Sequence, residues 1–170
     1  MTIRIIGAIL IVIGCSSVGF LMAHSYRKEI SILSEFADFL NMLECELQYR
    51  SPPVALVIKS FAGEKKGELC VFLRQLSKEL DSQIRPSVES CVNAAISKVN
   101  DLPKQTEVYV RKLGATLGLF DIEGQILEIQ ALRKEVIEKL AFMQENQSTQ
   151  VKNYKTLGIC AGAALAILFI

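Results

Sequence analysis

Residues 113–125 read LGATLGLFDIEGQ, where two glycines four apart, an acid and an amide interrupt a chain whose apolar residues otherwise recur at helical steps. If this stretch were a phosphate loop the fold would need strands; if it is a helix corner the chain is helical throughout. A nucleotide loop requires GxxxxGK[ST] between a strand and a helix. Here the glycines are spaced GxxxG, Leu119 follows the second, and both flanks keep the helical period. A corner accounts for the residues better. Gly114 and Gly118 share one helix face and let another backbone approach, and Gly118 suits the left-handed conformation that ends many helices. Asp121 is placed as the N-cap of the next helix, and Glu123 adds negative charge where the helix dipole favours it. Gly124 stands where a capping box needs Glu or Gln. Gln125 brings a donor and an acceptor that can tie the corner to a neighbouring loop.

Outward from this corner the periodicity predicts six helices. Ile122, Ile126, Ile129, Leu132, Val136, Leu140 and Met143 mark a sixth helix from about Asp121, with no break before Gly158; Val108, Leu113 and Leu117 mark the fifth. Pro86 opens a fourth with Val88, Cys91, Val92, Ala95, Ile96 and Val99 in its stripe, and Leu69, Phe72, Leu73, Leu76 and Leu80 define the third. A short second helix over residues 54–62 ends at Gly63. The first keeps its step through Ile30, Leu33, Phe36, Ala37, Leu40, Leu43 and Leu47, reaching about Arg50 before Pro52 and Pro53 end it, with Ser51 placed to cap the next. No segment alternates with period two, so the expected class is all-α: a six-helix bundle whose first and last helices are long and antiparallel.

Hydrophobic residues make up 51% of the 170, and they concentrate at the two ends. The middle holds all but Arg4 of the 19 Lys and Arg and all 18 Asp and Glu, so it is close to neutral and offers no basic run for nucleic acid. Ile5 to Ala23 is uncharged, close to the roughly 20 residues that cross a bilayer. Leu157 to Ile170 is shorter, about 21 Å as helix against about 30 Å of hydrocarbon. The expected division is a membrane helix over 3–24, a helical bundle over 25–155 and a short membrane helix over 156–170. Arg27, Lys28, Lys152 and Lys155 flank the inner ends, which places the bundle in the cytoplasm and both termini on the far side of a cell membrane. Gly158, Gly162 and Ala166 form one small-residue stripe and Cys15, Gly19 and Ala23 another; either the helices pack on them, or Gly and Ala are there because membrane helices are rich in both. The alternative at the N-terminus is a lipoprotein signal ending at Cys15, but the apolar run continues eight residues past it.

The catalytic inventory is thin. Five cysteines (Cys15, Cys45, Cys70, Cys91, Cys160) show no CxxC spacing and the single histidine, His24, sits at the edge of an apolar run, so buried free thiols and no metal are expected. In ECELQYRSPP, residues 44–53, Glu44 and Glu46 point to different helix faces and Ser51 has no base to activate it. Tyr49 is expected to lay its ring on the bundle, with Glu46 accepting a bond at the helix corner. The inventory fits neither an enzyme nor a cofactor protein, and it fits no small-molecule substrate.

Taken in order, GFLMAH closing the first apolar run, ELQYRSPPV, LGATLGLFDIEGQ and LGICAGAALAILFI resemble the stage III sporulation protein AB family over essentially the whole chain. Glu46, Leu47, Tyr49 and Pro53 match its pattern E-[IL]-x-Y-x-x-[ST]-P-L, and Gly114, Leu117, Gly118, Asp121 and Gln125 match G-x-x-L-G-x-x-D-x-x-x-Q. Pro52 and Val54 depart from the first pattern, and the chain has no Trp where family members carry one. The resemblance implies a mother-cell protein of endospore formers, in the outer forespore membrane. It would belong to the channel, or feeding tube, between mother cell and forespore, together with other proteins of the stage III A operon. It further implies a cytoplasmic domain similar to the platform protein of type II secretion and type IV pilus machines, acted on by the AA-type hexameric ATPase.

Overall fold

The computed structural model describes residues 2–49, 52–64, 67–99, 102–117 and 122–169, with side chains at all of these but 2–6, 8, 9, 11, 64, 168 and 169. Six helices follow one another: α1 (Thr2–Tyr49), α2 (Val54–Glu64), α3 (Glu68–Ser82), α4 (Val88–Lys98), α5 (Lys104–Thr116) and α6 (Ile122–Phe169), and the described residues contain no strand. The chain forms two compact units. Ser31–Leu140 is a helical bundle; Met1–Ile30 and Ala141–Ile170 form a pair of helices.

In the bundle each helix packs on the next and the last returns to the first. Leu33, Phe36, Leu40, Leu43 and Leu47 of α1 are buried as their spacing predicts, and Ile32 and Phe39 widen the stripe. Phe39 meets Phe61 of α2 edge-on, ring centroids 5.2 Å apart. Burying side chains of this size contributes about 1.5–3 kcal/mol each. Arg74 of α3 donates from Nε to the Ala62 carbonyl of α2 at 3.1 Å. Lys98 of α4 reaches Glu79 of α3 at 2.6 Å. Gly114 of α5 lies on Val92 of α4, Lys112 of α5 pairs with Glu135 of α6 at 2.7 Å, and Arg133 of α6 pairs with Glu44 of α1 at 3.0 Å.

Two apolar positions differ from the periodic expectation. Val108 is 53% exposed, and Tyr109 and Val110 are buried in its place: five residues before Leu113 a side chain is turned well away from Leu113's direction. Ile122 is exposed although it shares a face with Ile129, because it stands in the first turn of α6, beyond the core. The starts of α3 and α5 hold no side-chain cap of their own. Ser87 caps α4 in a capping box with Ser90, the Ser90 amide donating to Ser87 Oγ at 3.2 Å. At α3 a carboxylate of another helix stands near the N-cap: a methyl on N-cap residue Gly67 would be 2.7 Å from Glu35 Oε2, so the α1 carboxylate lies against the positive end of α3.

The helix pair is organised the other way round. Its interior is small: Gly19, Ala23, Gly162 and Ala166 are buried, with Val151 and Met143 further along. Its large apolar side chains face outward, Leu21 at 67% and Ile167 at 78% exposed, with Leu10, Ile13, Val18, Phe20, Met22, Leu157 and Ile159 also exposed. Among the described residues no helix is long and apolar enough to cross a membrane; the run from Ile5 to Ala23 includes residues 5, 6, 8, 9 and 11, whose side chains are outside the description.

Candidate functional site

The two sequence motifs come to one end of the bundle. On α1, Glu44 accepts a hydrogen bond from Gln130 Nε2 of α6 at 2.8 Å, and Asn41 accepts one from Arg133 at 3.2 Å, so residue numbers rise along α1 as they fall along α6. Five residues on from Glu44 is Tyr49, where α1 ends, and five back from Gln130 is Gln125, in the first turns of α6. Both steps travel the same way.

At this end Tyr49 is 82% exposed, which corrects the expectation that its ring lies on the bundle. The reason is angular: two residues past buried Leu47, a side chain is turned by about 200° on a helix of 3.6 residues per turn. Glu46 is half-buried. Pro53 is exposed, and its carbonyl accepts from the Leu56 amide at 2.9 Å, opening α2. Gly114 is buried, and a methyl there would stand 2.8 Å from Val92 Cγ2, so α4 and α5 meet where glycine leaves room. Leu117 is buried and extended, its amide donating to the Leu113 carbonyl at 3.0 Å to close α5. Gln125 is half-buried. Gly118, Asp121 and Ser51, with the capping roles expected of them, lie outside the described residues.

A cavity of about 190 Å³ opens beside the second motif, lined by Pro86, Ser87, Val88, Glu89, Gly114, Ala115 and Leu117. Ser87 Oγ is engaged by its own helix, and the lining pairs no nucleophile with a base. Tyr49, Pro53 and Ile122 are exposed at this end. Glu44 and Glu46 do not form an acid pair: Glu44 is held by Gln130 and Arg133.

The profile of the stage III sporulation protein AB family matches residues 4–170. The chain belongs to this family. It is 25% identical over 169 residues to the stage III sporulation protein AB of Bacillus subtilis (strain 168), spanning 98% of each chain. A solved structure of a stage III sporulation protein AB shares the fold with a TM-score of 0.64 at 20% identity, over 72% of this chain and 98% of that one. Glu46, Tyr49, Pro53, Gly114, Leu117 and Gln125 stand here in an all-α setting of six helices among the described residues.

The closing glycine-rich segment lies in the helix pair. A methyl on Gly158 would meet the Cys15 carbonyl at 2.9 Å, and one on Gly162 would meet Cys15 Cβ at 3.1 Å. Cys15 is thus half-buried inside α1 and in contact with α6. All five cysteines are free. Cys70 and Cys91 are buried, but Cys45 and Cys160 are exposed, correcting the expectation that all are covered; Cys45 is turned away from the stripe of Leu40, Leu43 and Leu47. Burial pushes the Cys91 thiol up, so it stays protonated and unreactive at neutral pH. Among the described residues no three metal-binding side chains gather.

One charged contact inside the bundle falls outside every motif of the sequence. Glu79 is buried, yet its carboxylate receives Lys98 Nζ at 2.6 Å, Gln75 Nε2 at 3.0 Å and Arg85 Nε at 3.3 Å. These donors, Lys98 foremost and then Arg85, hold its pKa below the usual carboxylate value against the opposing effect of burial. A signal was present: Glu79 stands three residues past Leu76, on the apolar face of α3.

Proposed function

We propose that the protein is a non-enzymatic membrane scaffold in the channel complex that joins mother cell and forespore during endospore formation. The inside-out distribution of the helix pair carries this reading: Gly19, Ala23, Gly162 and Ala166 face inward while Leu10, Ile13, Phe20, Leu21, Leu157, Ile159 and Ile167 face outward. Water penalises that arrangement and lipid favours it, because helices in lipid associate through close packing of small residues. In this reading 3–24 and 156–170 lie in the outer forespore membrane, 25–155 lies in the mother-cell cytoplasm, and Arg27, Lys28, Lys152 and Lys155 hold that orientation. The bundle end that carries Tyr49 and Pro53 is the surface offered to partners: proteins of the same operon and, by similarity to secretion platforms, the AA-type hexameric ATPase. Family membership and the exposure of Tyr49 support this assignment.

The test uses the spore-forming host of this chain. A strain whose only copy lacks residues 25–155, and another carrying Tyr49→Ala with Pro53→Ala, are scored for forespore gene expression after engulfment. The deletion is expected to abolish late expression and the double variant to reduce it while membrane localisation persists. Normal sporulation of the deletion strain would overturn the proposal.

A further inference from the structure

The geometry points to an anionic phospholipid headgroup site on the helix pair, formed by Arg27, Lys152 and Lys155. It rests on the membrane reading proposed above. A cavity of about 390 Å³ is lined by Arg27, Gln147, Ser148, Val151, Lys152 and Lys155. Three cations face one space with no acid in its wall; Glu29, close by in sequence, lines a different groove with Tyr26 and Tyr154. Among the described residues Arg27 and Lys152 enter no ion pair. Cations gathered without a counterion repel one another, and an anion seated among them removes that cost.

The order of groups along the pair matches that of a lipid. Gly19 and Gly158 mark the apolar seam. Next come Phe20, whose ring lies 4.9 Å from Lys155 Nζ, and the aromatic pair Tyr26 and Tyr154, centroids 6.3 Å apart, the kind of ring that settles at a bilayer interface. Lys155 stands level with these rings, and Arg27, Lys152 and the amide and hydroxyl donors of Gln147 and Ser148 stand further on, so the group reaches from the ring layer to where phosphate and its polar substituent would lie. Free phosphate shares the headgroup's charge, but only a lipid also covers exposed Phe20 and Leu157 beside the site with its acyl chains.

The experiment places the full chain in nanodiscs of equal phosphatidylglycerol and phosphatidylcholine, releases it into mild detergent and identifies the retained lipid by native mass spectrometry. Wild type is expected to retain phosphatidylglycerol over phosphatidylcholine, and preference is expected to fall about fivefold for each cation removed in the series Arg27→Gln, Lys152→Gln, Lys155→Gln. A control with the same charge removed at Lys59, Lys78 and Lys134 keeps the preference. Equal retention by the wild type and the triple variant, or equal loss in the control, would overturn the site. Displacement of phosphatidylglycerol by inorganic phosphate would assign the site to a soluble anion and overturn the lipid. A chain that enters no bilayer overturns the membrane reading and the site with it, whereas one that enters but retains both lipids equally overturns the site alone.

Discussion

Gly19 and Gly158 are in backbone contact: a methyl built on Gly158 would stand 3.1 Å from the Cα of Gly19, and one built on Gly19 would stand 2.6 Å from the Tyr154 carbonyl oxygen. No side chain fits between the two helices there. The same seam puts a Cβ at position 162 within 3.1 Å of Cys15 Cβ, a little inside the roughly 3.5–4.5 Å that a disulfide spans. In a chain whose other four cysteines are alanine, Gly162→Cys is therefore expected to form a disulfide with Cys15 on mild oxidation, detected by peptide mapping without reduction. Adding Gly19→Leu should abolish it by forcing the helices apart. Equal disulfide yield with and without that leucine would show that the seam is not held by Gly19.

Gly114 makes a second close approach, on Val92 in the bundle core. Valine is stiff at χ1 and Val92 is fully buried, so it cannot swing aside. Gly114→Ala is expected to cost about 1–3 kcal/mol through overpacking, despite alanine's better helix propensity. Val92→Ala in the same chain should recover part of that cost, and a double-mutant cycle by urea unfolding measures the coupling. Additive effects would mean the two residues do not meet.

Much of this architecture can be read in the sequence because helix starts, stops and faces are local. Pro52, Pro53 and Pro103 fall between helices as their chemistry requires, and Leu33, Phe36, Leu40, Leu43 and Leu47 are buried. The contacts that join helices are not local. Glu79 and Lys98 are 19 residues apart, and Glu35 meets Gly67 across two helices; no period links such pairs. Tyr49 shows the opposite limit. Its motif marks it, but its exposure follows from its angle to Leu47, which was available in the sequence and outweighs the tendency of an aromatic ring to be covered.

The Glu79 cluster predicts a pH dependence. Its pKa is depressed from the ordinary 4.5, so the native state binds fewer protons here than the unfolded chain. The contribution is complete above the unfolded carboxylate range and is lost as pH falls through the lowered pKa. Glu79→Gln is expected to lower the urea midpoint at neutral pH, with the gap from wild type narrowing once pH drops below 4.5. A gap that stays constant through this range would mean that the charge of Glu79 contributes nothing.

The C-terminus of α3 holds a left-handed residue that is not glycine: Gln83 has φ 51° and ψ 17°, its amide donating to the Leu80 carbonyl at 3.3 Å. An L residue with a side chain is disfavoured there by about 1–2 kcal/mol. Gln83→Gly removes that strain while adding freedom to the unfolded chain, and a net gain of about 0.5–1 kcal/mol is expected. A loss of stability on thermal unfolding would contradict the left-handed assignment.

Thr106 supplies the last test, in the first turns of α5. It is 0% exposed, and its Oγ1 is buried with no hydrogen-bond partner among the described residues. An unsatisfied buried hydroxyl costs about 1–3 kcal/mol, and valine keeps the β-branched shape while removing it. Thr106→Val is therefore expected to raise the stability of the bundle by about 1 kcal/mol, whereas Thr106→Ala, which also leaves a cavity, should lower it. Chemical unfolding of the two variants separates the effects by sign. Destabilisation by valine would mean that the hydroxyl is bound, by water or by a protein group, and contributes to the core after all.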